Sequence, residues 1–61
     1  MFVVEELDAG RYEGYIKNNL RNGKGKFFYH EGSIYDGDWK DNMMHGLGKL
    51  HYPSYATFPL E

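Results

Sequence analysis

The sequence predicts an all-β protein: an antiparallel meander of stacked β-hairpins that forms a single-layer sheet. Apolar residues and glycines alternate with charged residues, as in YDGDWK at residues 35–40. A period of two is typical of strands with one packed and one solvated face. The pattern occurs twice, at the spacing that separates Tyr12 from Tyr35, and a period of this length is typical of repeat architectures. Glycines inside every segment make a helix unfavourable.

The repeat is found by shifting the sequence along itself by the distance from Tyr12 to Tyr35, which we call the repeat spacing. At this offset Ile16 aligns with Trp39. The further coincidences are Gly14/Gly37, Lys17/Lys40, Asn19/Asn42, Gly23/Gly46, Gly25/Gly48, Lys26/Lys49 and Tyr29/Tyr52. Phe27 and Leu50 match in kind. This many matches at one offset indicates two copies of one structural unit.

The elements follow from the alternation and from the turn residues. We expect residues 1–10 to form an N-terminal cap or leading strand, with FVVEE extended. Residues 11–54 contain the two repeats (about 11–33 and 34–56), and residues 55–61 form a terminating segment. The predicted strands are roughly 11–17, 23–30, 34–40 and 46–52. Polar turns, NNLRN and DNMMH, join the strands within each unit, and HEGSI, with Gly32 free to take a positive φ, joins the units.

Six glycines are predicted to be structural because they stand beside aromatic residues on the packed face: Gly14, Gly23, Gly25, Gly37, Gly46 and Gly48. If residues 29 and 35 are opposite each other, Phe27 faces Gly37 and Trp39 faces Gly25. Each ring can then cover bare backbone, since cross-strand neighbours lie within contact distance. The register within each hairpin is left open.

Composition limits the class of protein. A chain of 61 residues buries only about 60% of its unfolded surface, and without cysteine it has no disulfides or thiolate metal sites. Regular packing or a partner must therefore stabilise it. The middle of the chain is basic and both ends are acidic. This pattern fits ordinary surface charge or attraction between molecules.

No catalytic, cofactor or metal site is predicted. Ser33 and Ser54 fall in turns without a nucleophile-elbow pattern, and a single small sheet offers no enclosed apolar pocket. The three histidines, His30, His45 and His51, match no metal-binding spacing. We therefore expect no enzyme activity, no cofactor and no nucleic-acid partner.

Two surfaces are candidate binding sites. The first is an aromatic face predicted to bind a partner: Tyr12, Ile16, Phe27, Tyr29, Tyr35, Trp39, Leu50 and Tyr52. These side chains could pack on one another and on their glycines, bind a partner, or do both, because a large exposed apolar patch normally marks an interaction site. The second is a small basic patch of Arg21, Lys24 and Lys26, which could bind anionic lipid weakly.

The spacing Tyr35-x-Gly37-x-Trp39, followed by His45-Gly46-x-Gly48, resembles the MORN repeat (membrane occupation and recognition nexus). The first copy reads Tyr12-x-Gly14-x-Ile16, then Asn22-Gly23-x-Gly25. It departs from the family pattern at Ile16, where tryptophan is usual, and at Asn22, where histidine is usual. Tyr55 displaces the inter-repeat glycine. The resemblance covers about residues 11–54 and implies a ribbon of stacked hairpins with an aromatic groove along one face.

The resemblance implies a scaffold rather than an enzyme. We predict a non-enzymatic protein–protein interaction module that docks through its aromatic face into a larger assembly or associates with itself. The family resemblance points to a cytoplasmic setting, cytoskeletal or ciliary (cilium, flagellum or axoneme). Two alternatives stay open: a peripheral membrane module that binds anionic phospholipids, and an accessory repeat segment of a larger enzyme.

Overall fold

The computed structural model describes residues 1–53, which form one open antiparallel sheet of five strands in the order β1-β2-β3-β4-β5. The strands are β1 (Phe2–Leu7), β2 (Gly10–Lys17), β3 (Leu20–Tyr29), β4 (Ile34–Lys40) and β5 (Met43–His51). The predicted all-β meander is confirmed. The terminating segment predicted at residues 55–61 and the substitution at Tyr55 lie outside the described residues.

The turns within the two units are much shorter than the sequence predicted. Each is a two-residue turn, formed by Asn18 and Asn19 in the first unit and by Asp41 and Asn42 in the second. Both central residues have positive φ, 53° and 64° in the first turn and 51° and 71° in the second. That is the type I′ geometry, whose twist matches the flanking strands. The prediction of five-residue turns, NNLRN and DNMMH, was therefore wrong.

Replacing Asn19 with alanine should destabilise the first hairpin. Asn19 has a φ of 64°, and left-handed backbone is costly for residues that carry a Cβ and lack a short polar side chain. We expect Asn19→Ala to lower the free energy of unfolding by about 1 kcal/mol, measured by urea titration followed by circular dichroism. Asn19→Gly is the control and should be neutral or stabilising, because Asn-Gly is preferred in this turn. An equal loss in both variants would contradict this explanation.

Each short turn is accompanied by a β-bulge in the second strand of its hairpin, β3 in the first unit and β5 in the second. In the first unit Gly14 pairs with Gly25, but Ile16 pairs with Arg21, so the register shifts between them. In the second unit Gly37 pairs with Gly48 before a matching shift. Gly23 (φ 90°) and Gly46 (φ 64°) lie in these shifts, where positive φ favours glycine. β3 and β5 therefore begin at residues 20 and 43, rather than at the predicted 23 and 46.

The register between the two units also differs from the prediction. Tyr29 donates its backbone N–H to Ser33 O (2.9 Å), so residue 29 faces residue 33 rather than residue 35. Gly32, with a φ of 108°, completes a three-residue connection. The pairs across β3 and β4 are Gly23/Trp39, Gly25/Gly37 and Phe27/Tyr35. The predicted pairs Phe27/Gly37 and Trp39/Gly25 were wrong, because the connection is shorter than assumed.

The core lies on one face of the sheet and consists of four buried aromatic side chains: Tyr12, Phe27, Tyr35 and Trp39. Partly buried apolar residues pack around them: Val3, Leu7, Ile16 and Tyr29. We call this side of the sheet the aromatic face. In the centre of this face the aromatic rings pack on one another and are buried from solvent.

Candidate functional site

Trp39 lies at the centre of the aromatic face and joins the two units. Its ring makes edge contacts with Tyr12 and Tyr35, with both centroid distances at 5.3 Å. A tilted contact with Phe27 follows at 6.2 Å. The indole N–H donates a hydrogen bond to Gly25 O at 3.1 Å. Trp39 belongs to the second unit by sequence, but three of these four partners belong to β2 or β3 of the first unit.

The tyrosine of each unit covers the glycines of its own hairpin. A Cβ built on Gly25 would lie 2.5 Å from Tyr12 Cε1, and one built on Gly48 would lie 2.5 Å from Tyr35 Cε1. The hydroxyl of Tyr12 donates to Tyr15 O (2.7 Å), and that of Tyr35 donates to Asp38 O (3.0 Å). Burial raises the pKa of Tyr12. Rings therefore do cover Gly25 and Gly48, but the covering rings are those of Tyr12 and Tyr35 rather than Trp39 and Phe27.

Arg21 lies on the aromatic face rather than on a solvated face. Its guanidinium carbon lies 5.1 Å from the Trp39 ring centroid, 5.7 Å from the Tyr12 centroid and 5.9 Å from the Phe27 centroid, which is the geometry of cation–π attraction. Its Nη2 donates to Asn42 O at 3.2 Å. The backbone of Arg21 also bonds Asn42, whose Oδ1 accepts from Arg21 N (2.8 Å) and whose N–H donates to Arg21 O (3.0 Å).

The structure places Lys24 and Lys26 on one face of β3 and separates the third candidate lipid-binding residue, Arg21, from them. Lys24 forms an ion pair with Asp38 at 2.8 Å. The hydrogen bond between them raises the pKa of Lys24 and lowers that of Asp38. Lys26 is exposed and pairs across the sheet with Asp36. Since Arg21 packs on the aromatic rings, the three residues do not form one cationic patch.

The connection between the units carries a local anchor of its own. The Ser33 hydroxyl and backbone N–H both donate to the carboxylate of Glu31, at 2.5 and 2.8 Å. These two hydrogen bonds hold the pKa of Glu31 below its ordinary value. Ser33 is 4% exposed. Its hydroxyl is therefore used to fix the turn.

The last described strand leaves part of the aromatic face uncovered. Met44, Leu50 and Tyr52 lie on this face and are 46%, 48% and 65% exposed. We call these three residues the β5 patch. Their equivalents one repeat spacing earlier, Arg21, Phe27 and Tyr29, are all buried or half-buried. The difference arises because β4 follows β3, whereas within residues 1–53 no strand follows β5.

A shallow, mainly apolar depression of about 450 Å³ lies at this end of the aromatic face. It is lined by Ala9, Tyr29, His30, Glu31, Ser33 and the β5 patch. The depression is open and its walls include a half-buried tyrosine and three exposed apolar side chains. Such a shape suits an apolar side chain of another molecule.

The eight residues predicted to bind a partner divide into two groups. Tyr12, Phe27, Tyr35 and Trp39 pack on one another, and Ile16 and Tyr29 are half-buried beside them. Only Leu50 and Tyr52 are largely exposed. Sequence reasoning missed Met44, which it assigned to a turn just as it assigned Arg21, the equivalent residue one repeat spacing earlier. Partner binding by these residues stays a prediction.

No other functional centre was found in the described part of the chain. Residues 1–53 contain no group of three or more side chains that could hold a metal ion. His45 and His51 lie on β5 and are exposed. His45 was expected in a turn, and that prediction was wrong. Over the same range of residues, 1–53, the chain includes no helix that could span a membrane.

Comparison with known proteins identified one family. The family model described as MORN repeat matches the chain twice, over residues 12–34 and 35–57. Neither a search of curated proteins nor a search of solved structures returned a match. The two matched segments together span most of the chain, and they have the same period as the hairpins of the sheet.

Proposed function

The chain belongs to the MORN repeat family, and from this premise we propose that it is a non-enzymatic module that binds another protein through the β5 patch. MORN repeats are generally protein- or membrane-interaction modules, and the repeat type is non-catalytic. The protein-binding role is the one that the geometry of the sheet favours, because the exposed part of the aromatic face is apolar.

The single observation that carries the proposal is the exposure of the β5 patch. Leu50 is 48% exposed, while Phe27, at the same place in the first unit, is 6% exposed. A surface that the chain covers in one unit and leaves open in the next is suited to burial against a partner. By contrast, Arg21 packs on the aromatic rings, away from Lys24 and Lys26, and Lys24 forms an ion pair with Asp38, so a lipid surface is the weaker candidate.

We also propose that the partner belongs to a larger cytoskeletal or ciliary assembly in the cytoplasm. This setting is supported by the family resemblance alone. The first experiment should therefore use an extract that retains cytoskeletal proteins.

The proposal is tested by affinity purification, in which the full chain and its variants capture bound protein from an extract of the native source. We expect Leu50→Asp and Tyr52→Asp to reduce recovery of the bound protein at least tenfold, because a charge replaces apolar surface at the contact. Binding of the recovered protein is then measured with purified components. Circular dichroism checks that each variant keeps its sheet, and two independent positions guard against a folding defect in one.

Val4→Asp is the matched control, because Val4 is 60% exposed at the opposite edge of the sheet. It should recover the partner as the unaltered chain does. Equal recovery by all variants would contradict the proposal. So would strong binding to phosphoinositide vesicles in a flotation assay with no bound protein, since that result identifies a membrane module instead.

A further inference from the structure

We infer that the free edge of β5 accepts one extended strand from a partner protein, and that this strand places an aromatic ring over the β5 patch. The inference rests on the proposed function and specifies its binding mode. It comes from comparing the two units of the chain with each other, because one unit contains the occupied form of the surface that the other leaves open.

The occupied form is found between β3 and β4. Here β4 pairs along the edge of β3, and its Trp39 packs over Phe27 with the indole N–H bonded to Gly25 O. The guanidinium carbon of Arg21 lies 5.1 Å from the indole centroid. As a result Phe27 is 6% exposed and Trp39 is 5% exposed.

The open form is found on β5, one repeat spacing later. Gly48 takes the place of Gly25, and it is covered by Tyr35 as Gly25 is covered by Tyr12. Leu50 takes the place of Phe27, and Met44 takes the place of Arg21. The glycine and the apolar residue at the place of Phe27 therefore recur, while Met44 replaces a cation with an apolar side chain. The indole that fills the site in the first unit has no counterpart within residues 1–53.

The edge of β5 is suited to strand addition. β5 is nine residues long, and every one of its residues is exposed. Among the described residues it pairs with β4 alone, so within residues 1–53 its outer side has no partner strand. An extended peptide that adds to such an edge gains main-chain hydrogen bonds, while pockets for alternate side chains give specificity.

Charge identifies the kind of strand that fits. On β3, Lys24 and Lys26 face Asp38 and Asp36 of the following strand. β5 carries one lysine, Lys49, two histidines and no acidic residue. Leu47 takes the place of Lys24 and Lys49 that of Lys26. A partner strand with an acidic residue opposite Lys49 and apolar residues on the aromatic face therefore complements β5.

A second copy of this chain fits less well. The other free edge of the sheet is β1, where Val3, Glu5 and Leu7 occupy alternate positions on the aromatic face. Pairing β1 with β5 would place the Glu5 carboxylate against the apolar β5 patch and would supply no ring. The occupant that the observations favour is thus an acidic, aromatic strand of another protein.

The test uses a labelled peptide with the sequence of residues 33–41, SIYDGDWKD, which is the strand that fills the equivalent site in the first unit. Fluorescence polarisation measures its binding to the full chain. We expect saturable binding that weakens at least tenfold when the peptide carries Trp39→Ala or when the chain carries Leu50→Asp. Val4→Asp in the chain should leave binding unchanged. Amide hydrogen exchange should slow within Met43–His51 when the peptide is bound.

The outcomes separate this inference from the proposed function. No saturable binding up to about 1 mM peptide, no dependence on the peptide's tryptophan, or protection at β1 would overturn the inference. If Leu50→Asp still abolishes recovery of the partner protein, the proposed function stands and only the binding mode is wrong. Sedimentation showing that the chain pairs with itself through β5 would overturn the choice of occupant.

Discussion

Trp39→Ala should unfold the chain or leave it barely folded at room temperature. Truncating a buried tryptophan typically costs about 3–5 kcal/mol. A domain of 61 residues has a total stability of roughly 3–9 kcal/mol. The substitution also leaves Gly25 O without its indole donor and removes the ring beneath Arg21. Far-ultraviolet circular dichroism and urea titration measure the loss.

Trp39→Phe is the matched variant for this experiment. It keeps a ring between Tyr12 and Tyr35 but loses the hydrogen bond to Gly25 O, which is worth about 1 kcal/mol. We expect a folded chain with a lower urea midpoint. If Trp39→Ala were as stable as the phenylalanine variant, the ring would not be the element that holds the two units together.

Gly25→Ala should strongly destabilise the chain. The added methyl would lie 2.5 Å from Tyr12 Cε1 and 2.6 Å from Cζ, well inside van der Waals contact. Tyr12 is fully buried and packs against Trp39, so its ring cannot move away without opening the core. Overpacking of this kind costs about 3 kcal/mol, at the upper end of the usual range. Thermal unfolding followed by circular dichroism measures it.

Gly48→Ala provides the comparison, because Tyr35 covers Gly48 in the same way. Among the described strands, β5 is held by one neighbour and β3 by two, so the edge strand can shift to relieve the contact. We expect a clearly smaller loss for Gly48→Ala and almost none for Lys26→Ala, which changes an exposed side chain. Equal losses at Gly25 and Gly48 would mean that the strand's freedom to shift is unimportant.

The fold could be predicted because the alternation of residue types and the internal repeat are both evident in the amino-acid sequence. Apolar residues and glycines alternate with charged residues along β2 and β4, and the repeat spacing aligns glycine with glycine. The turns could not be read in the same way. In NNLRN the alternation is interrupted by a bulge, so Leu20 and Arg21 look like loop residues although they begin β3. The Asn18-Asn19 pair, which tolerates positive φ, was the signal for a tighter turn.

The candidate site was predicted less completely than the fold, for a related reason. Gly23 lies within a register shift, so counting in twos from Gly25 back to Arg21 does not give the right pairing. Arg21 was therefore grouped with Lys24 and Lys26 as a solvated cation. Met44 was lost to the same error in the second unit. Which aromatic residues are buried depends on the neighbouring strand, and this information is not local in sequence.

The position of Trp39 also determines how stability is distributed along an array of such units. The indole bonds to the unit before it, so the energetic quantity that counts is the junction between neighbours rather than the isolated repeat. In a nearest-neighbour description, a single unit has no junction and melts alone, while every added unit contributes one. Lengthening the array therefore raises the number of junctions per unit, and with it the cooperativity of unfolding. A terminal unit has one junction instead of two, so it is the first to unfold locally.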